Sequence, residues 1–433
     1  MCEAQNVIFP EEVEYHVKSL RKYQISDIGK TAWFEYHEIL VKIHQQSILE
    51  ASQSREEVLK DALLLEGKCK TLVYNAYVIL VWRHKILPEL LIRAHPQSSF
   101  IFYTIFFHEA TTVGLLETLL FHPDACEALE ETSLDLIDYC LQAIIQLIPL
   151  AQENHADCEE ADASSVAEEV EKHRKSLQLS IGIRCLTILS FLVDNLDRIC
   201  LSAVTRLLDI HDTPCVLSEI LHLRPWMRRQ GHTFQHFIND RWQSVAGEEI
   251  SRVTKSEAHT WFCLRELLLN PRLFASYHVN NFRQTEISKV QGLLNDVLLD
   301  QLPPLADLKH FLVTFSVAKN PETQQRDKKL LLEELPQIRE TLLSHLSSHG
   351  VENIIDDFQK SINITEIAST LSKAYNLDAL EQLLPPESPS FTPSCHHCGL
   401  PAPKKCSKCL RVHYCSRDCQ VKDWQTHKSH CQP

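Results

Sequence analysis

Eight potential metal ligands fall within Cys395–Cys431, in the order Cys395-x2-Cys398, Cys406-x2-Cys409, Cys415-x3-Cys419, His427-x3-Cys431. This array constrains the fold more than any other feature. So short a stretch cannot bury enough apolar area to fold unaided. Eight sulfur and nitrogen donors match two closed tetrahedral zinc sites, and the ions then supply the folding energy. The Cys-x3-Cys and His-x3-Cys pairs suit one helical face, where residues four apart are neighbours. A disulfide knot is the competing reading. Seven cysteines is an odd number, however, and the nine others lie singly between Cys2 and Cys263, as in a reducing compartment. Catalytic zinc would need an open position, whereas all eight donors are used here and the only nearby acids are Asp418 and Asp423.

Residues 1–384 read as an all-α body. Leu, Ile and Val recur at helical spacing in Glu35–Leu49, Glu57–Leu87, Ser133–Ile148, Ala167–Leu208, Ser256–Leu269, Glu286–Leu299 and Lys328–Leu346. Pro88 and Pro149 fall at run ends, and Pro336 must kink or split the last run. Phe100–Phe107 is the best strand candidate, yet its neighbours favour a buried helix. No fixed-period repeat is visible. Even so, successive helices suggest an extended, helical-repeat-like α-solenoid packed neighbour on neighbour. The acidic stretch Glu153–Lys172 reads as a solvated loop. LLPPESPSFTPS, Leu383–Ser394, reads as a semi-rigid tether, with the linker at 385–394.

Charge divides at that tether. Residues 395–433 carry a formal +5, and the remainder has 36 basic against 55 acidic residues, or −19. Seven thiolates on two zinc ions would bring the tail to about +2. An acidic body with a mildly basic module does not suit nucleic acid. With only 9 Gly, glycine-rich phosphate loops are poorly supported. Gly29-Lys30-Thr31 has Gln24 where a P-loop needs glycine. His232 and His236 fall four apart on an expected helix, without a Glu or a third ligand. The run Arg224–Trp242 mixes Arg with aromatics and is open to reading as a protein-contact patch or an ordinary helix surface. No stretch is expected to cross a membrane. No secretory signal is visible at the N-terminus, so a soluble, cytoplasmic protein is expected.

The C-x2-C, C-x2-C, Y-C-x3-C, W-x2-H-x3-C order resembles the MYND zinc finger over residues 395–431. The resemblance implies interleaved ligands. Cys395, Cys398, Cys415 and Cys419 would hold one Zn2+, and Cys406, Cys409, His427 and Cys431 the other. Spacing alone leaves this pairing open. It also implies a docking site for proline-containing peptides, with Ser407, Gln420 and Trp424 at the contacting positions. Trp424 itself has two readings. It is either an exposed indole that stacks on a proline ring or apolar filler for a very small core. Tyr414 is expected in that core.

The whole chain is similar to MYND-finger factors for ciliary dynein-arm assembly. That likeness implies a non-enzymatic adaptor or co-chaperone acting in the cytoplasm, near the centrosome or basal body. Its implied partners are other dynein-assembly factors, dynein subunits and the chaperone machinery. A nuclear co-regulator whose finger captures proline-rich motifs is the alternative, and the lack of a basic run outside the finger weighs against it. A SET-domain methyltransferase does not fit a glycine-poor helical body, and the ligand order is not that of a RING ubiquitin ligase.

Overall fold

The computed structural model describes residues 7–53, 56–94, 98–155, 165–231, 233–318, 334–361, 404–406 and 412–428. The chain divides into a body, Gln5–Tyr375, and a second unit that holds Asn376–Pro433 with Met1–Ala4. The tether expected at 385–394 lies outside the described residues.

The body is helical, as its periodicity implies. Phe100–Phe107, the best strand candidate by composition, lies in helix Phe100–Leu120, which is buried on nearly every side. Val166–Asp194 is buried on nearly every side from Gln178 onward. A helix without a polar face must lie inside the protein. Accordingly, Val166–Asp194 packs against Phe100–Leu120, Thr132–Ile145 and Lys255–Leu269. Gly182 permits one of its close approaches, because a Cβ there would lie 2.5 Å from Leu147 Cδ2. Thr132–Glu153 and Val166–Asp194 are also long and apolar enough to cross a membrane, contrary to expectation. Inside the protein, 61% and 78% of their apolar windows are buried, as befits core helices.

Helix breaks follow local chemistry. The expected run Glu57–Leu87 divides into Val58–Leu65 and Lys68–Lys85 at Gly67, whose φ of 61° is left-handed. Pro88 and Pro149 stand in the first turns of Leu87–Ala94 and Leu147–His155, where no N–H is needed. Pro336 precedes a fresh helix, Ile338–His349. The expected acidic loop is shorter than 153–172. Helix Leu147–His155 enters it from one side, and Val166–Asp194 starts at Ser165, whose side chain caps Glu168 N–H. Glu168 and Glu169 then sit in the first turn, where a helix favours negative charge. Residues 156–164 lie outside the described residues.

Two features depart from the expected one-dimensional stack. First, Val166–Asp194 is ringed by several helices and does not meet sequence neighbours alone. Second, the last of the described body helices return to the beginning of the chain. Ile338–His349 packs on Lys68–Lys85, and Val351–Ser361 packs on Leu87–Ala94 and the turn Ile25–Asp27. Phe358 is buried between Trp82 and Phe102, with ring centroids 5.7 and 6.4 Å away.

Arg224–Trp242 is not helical. It contributes to an antiparallel sheet in the order β1 (Met227–Gln230), β2 (Thr233–Ile238), β3 (Arg241–Val245). Asn239 and Asp240 join β2 to β3 with φ of 50° and 59°, a mirror-image turn that matches strand twist. His236 is therefore a buried strand residue and not the helical one that its spacing suggested. Residue 232 is not described.

The body also buries polar groups as pairs. His37 and His108 meet Nδ1 to Nδ1 at 2.9 Å, and Tyr23 contacts His108 Nε2 at 3.1 Å. Arg83 and Tyr139 both donate to Glu109, at 3.3 and 2.8 Å. Such groups are tolerated inside only when partnered.

Candidate metal centre and docking face

Of the eight expected ligands, Cys406, Cys415, Cys419 and His427 are described; Cys395, Cys398, Cys409 and Cys431 are not, nor is Ser407. Strands β4 (Lys404–Lys405) and β5 (His413–Tyr414) pair antiparallel. Cys406 N–H closes the turn onto Val412 O at 2.8 Å. The backbone thus holds Cys406 immediately beyond β4, buried with Tyr414.

Helix Arg417–His427 follows. Ser416 caps it by accepting from Cys419 N–H at 3.3 Å, and Asp418 sits in its first turn. Cys415 and Cys419 therefore straddle the helix start and do not share a face, which corrects the reading from spacing. Their sulfurs lie 3.4 Å apart. An S–S bond between them would need about 2.0 Å. Two thiolates on one tetrahedral zinc, each about 2.3 Å from the ion, stand about 3.8 Å apart. The pair fits a shared ion. Among the described residues no further His, Cys, Asp or Glu completes a group of three. At the other end of the helix His427 is buried, its ring 6.2 Å from that of Tyr414.

Tyr414 is the filler of this small core, at 1% exposure. Its hydroxyl donates to Asp423 Oδ2 at 2.6 Å. Trp424 is not part of that core. It is 39% exposed, with its ring 6.0 Å from His427, and Val421 beside it is 64% exposed. Gln420 is half-buried, one turn before Trp424. The helix thus offers an apolar surface flanked by an amide. Sequence reasoning missed the positions of Asp423 and Ser416. A Ser three residues before the second ligand of a Cys pair was the available signal for the cap.

Residues 395–431 match the MYND finger family. The chain is a MYND-finger protein, with a zinc-binding, protein-interaction module beside a mainly helical body that carries one small sheet. It is 39% identical over 455 aligned positions to "Zinc finger MYND domain-containing protein 10 homolog" of Drosophila melanogaster, across 98% of this chain and 99% of that one. The chain belongs to the zinc finger MYND domain-containing protein 10 family. Tudor domain-containing protein 1 of Mus musculus and of Homo sapiens each share 42% identity over 45 residues, 10% of this chain and 4% of theirs. No solved structure matches the chain.

Proposed function

We propose that this protein is a non-enzymatic adaptor and co-chaperone for the cytoplasmic pre-assembly of axonemal dynein arms, working near the centrosome or basal body. The observation that carries the reading is the kinship over 98% of the chain, which includes the helical body as well as the finger. The body presents surface to dynein subunits and the chaperone machinery, while the finger recruits another dynein-assembly factor.

Two structural Zn2+ ions hold the finger. Cys395, Cys398, Cys415 and Cys419 grip one, and Cys406, Cys409, His427 and Cys431 the other. The Cys415–Cys419 sulfur separation supports the first group. Bound zinc supplies only cross-linking. The chain's own residues make the docking face: Trp424 stacks on a proline ring of the incoming peptide, and Gln420 and Ser407 bond its backbone.

Affinity capture from multiciliated cells tests the assignment. Dynein subunits and chaperones should co-purify with the intact chain, and the finger-dependent subset should vanish with Cys406→Ala. Recovery of chromatin co-repressors without any dynein or chaperone component would replace this reading with the nuclear one.

A further inference from the structure

The last of the described body helices fills a groove made by distant parts of the chain. Val351–Ser361 turns Ile354, Ile355 and Phe358 inward and leaves Glu352, Asp356, Asp357, Gln359 and Lys360 exposed. The three anchors, spaced Ile-Ile-x-x-Phe, form one helical stripe. The groove is bounded by Leu87–Ala94, the turn Ile25–Asp27 and the rings of Trp82 and Phe102. Gly29 leaves room for the Phe358 ring, which a Cβ there would strike. Two aliphatic anchors and an aromatic knob in an apolar groove are the means by which amphipathic helices dock between chains.

Three features make the occupant removable. First, it is hinged. Gly350 joins it to Ile338–His349 with a left-handed φ of 76°. The helix before the hinge is tied down independently: Asp135 Oδ1 accepts from Ile338 N–H at 2.9 Å, and Leu342 is buried. A change at Gly350 can therefore release Val351–Ser361 alone. Second, the rim is weakly fastened. Arg93 meets Glu352 at 3.2 Å, but both side chains are largely exposed, where an ion pair contributes little. Third, the fit is incomplete. The Trp82 ring lies against Phe358, yet its buried indole N–H has no hydrogen-bond partner among the described residues.

We propose that this groove is a docking site for an amphipathic helix of a partner protein, and that Val351–Ser361 is an autoinhibitory plug that the partner displaces. The incoming helix presents the same Ile-Ile-x-x-Phe stripe. An acidic residue in its first turn takes the place of Glu352 beside Arg93.

The test uses the zinc-loaded full chain and a fluorescent peptide of the Val351–Ser361 sequence, stapled on its outer face because so short a helix does not hold by itself. The peptide should bind the wild-type chain. On binding, hydrogen exchange should rise in Val351–Ser361 and stay unchanged in Ile338–His349. Phe358→Ala in the chain should raise peptide affinity about 10-fold, because the groove is then more often vacant. Glu352→Lys, which leaves the core intact, should raise it less. Gly29→Ala added to Phe358→Ala should abolish binding. Circular dichroism verifies that each variant is folded. The proposal is overturned if the wild-type chain fails to bind millimolar peptide, since the helix is then a fixed part of the core. It is equally overturned if a peptide with all three anchors changed to Ala binds as well, or if Phe358→Ala leaves the affinity unchanged. A dimer in which an intact copy lends its helix to a Phe358→Ala copy, without any binding of free peptide, would give the groove to a second copy instead.

Discussion

Tyr414 donates its hydroxyl to Asp423 across 2.6 Å inside the smallest core of the protein, joining β5 to the helix that carries Cys419 and His427. Removing the donor with Tyr414→Phe keeps the ring but takes one partner from a buried carboxylate, at about 1–3 kcal/mol. The variant should bind zinc yet release it faster to a chelator. An unchanged release rate would mean that the bond holds nothing in place.

Trp424 should behave differently. It is partly exposed, so Trp424→Ala should cost less than about 0.5 kcal/mol in stability. Partner capture through the finger should nevertheless weaken about 10-fold or more, as for an aromatic hot spot. Calorimetry with a proline-containing peptide separates the two effects.

Metal removal should be selective. Chelation, or Cys406→Ala, should unfold the finger and leave the helical signal of the body intact, because the body's core is built from its own residues. Elemental analysis should find two zinc ions per chain. A broad loss of helicity on chelation would contradict a separable module.

Gly29 supports the docking of helix Val351–Ser361. Its φ is 91°, and a Cβ there would lie 2.5 Å from Phe358 Cε2. Gly29→Ala should cost about 1–3 kcal/mol. Hydrogen exchange in Val351–Ser361 should rise more than elsewhere in the body.

Acid should loosen the body from its histidine pair. Burial pushes the pKa of His37 from 6.5 down to about 3. Burial, with His37 alongside, also holds His108 well below its usual value. Below pH 6.5 the unfolded chain therefore binds protons that the folded chain refuses. Stability present above pH 6.5 should fall by about 1.4 kcal/mol per pH unit for His37 alone as pH drops toward 3. His37→Gln should lower stability at pH 7.5 yet flatten the loss between pH 6.5 and 5, measured by urea midpoints.

Much of this was legible in the sequence because it rests on local rules. The helices of the body announce themselves by apolar period, and the finger by ligand spacing. The sheet is hard to see in the sequence because Arg and polar residues interrupt the apolar alternation of Thr233–Ile238 and Arg241–Val245. The two-residue Asn239-Asp240 turn between those runs was the hairpin signal. The return of the C-terminal helices onto the start of the chain was not legible for a different reason. Nothing in a linear pattern tells Phe358 that its pocket is made by Trp82 and Phe102. Likewise, the exposure of Trp424 depended on which aromatic filled the finger's core, and Tyr414 won because Asp423 could satisfy its hydroxyl.

The docking of Val351–Ser361 against the first hundred residues also bears on how the polypeptide is made. A ribosome must translate past codon 358 before the hollow around Trp82 and Phe102 receives its plug. Until then the nascent chain carries an unfilled apolar cleft for chaperones to shield, and a product cut short upstream would carry it permanently.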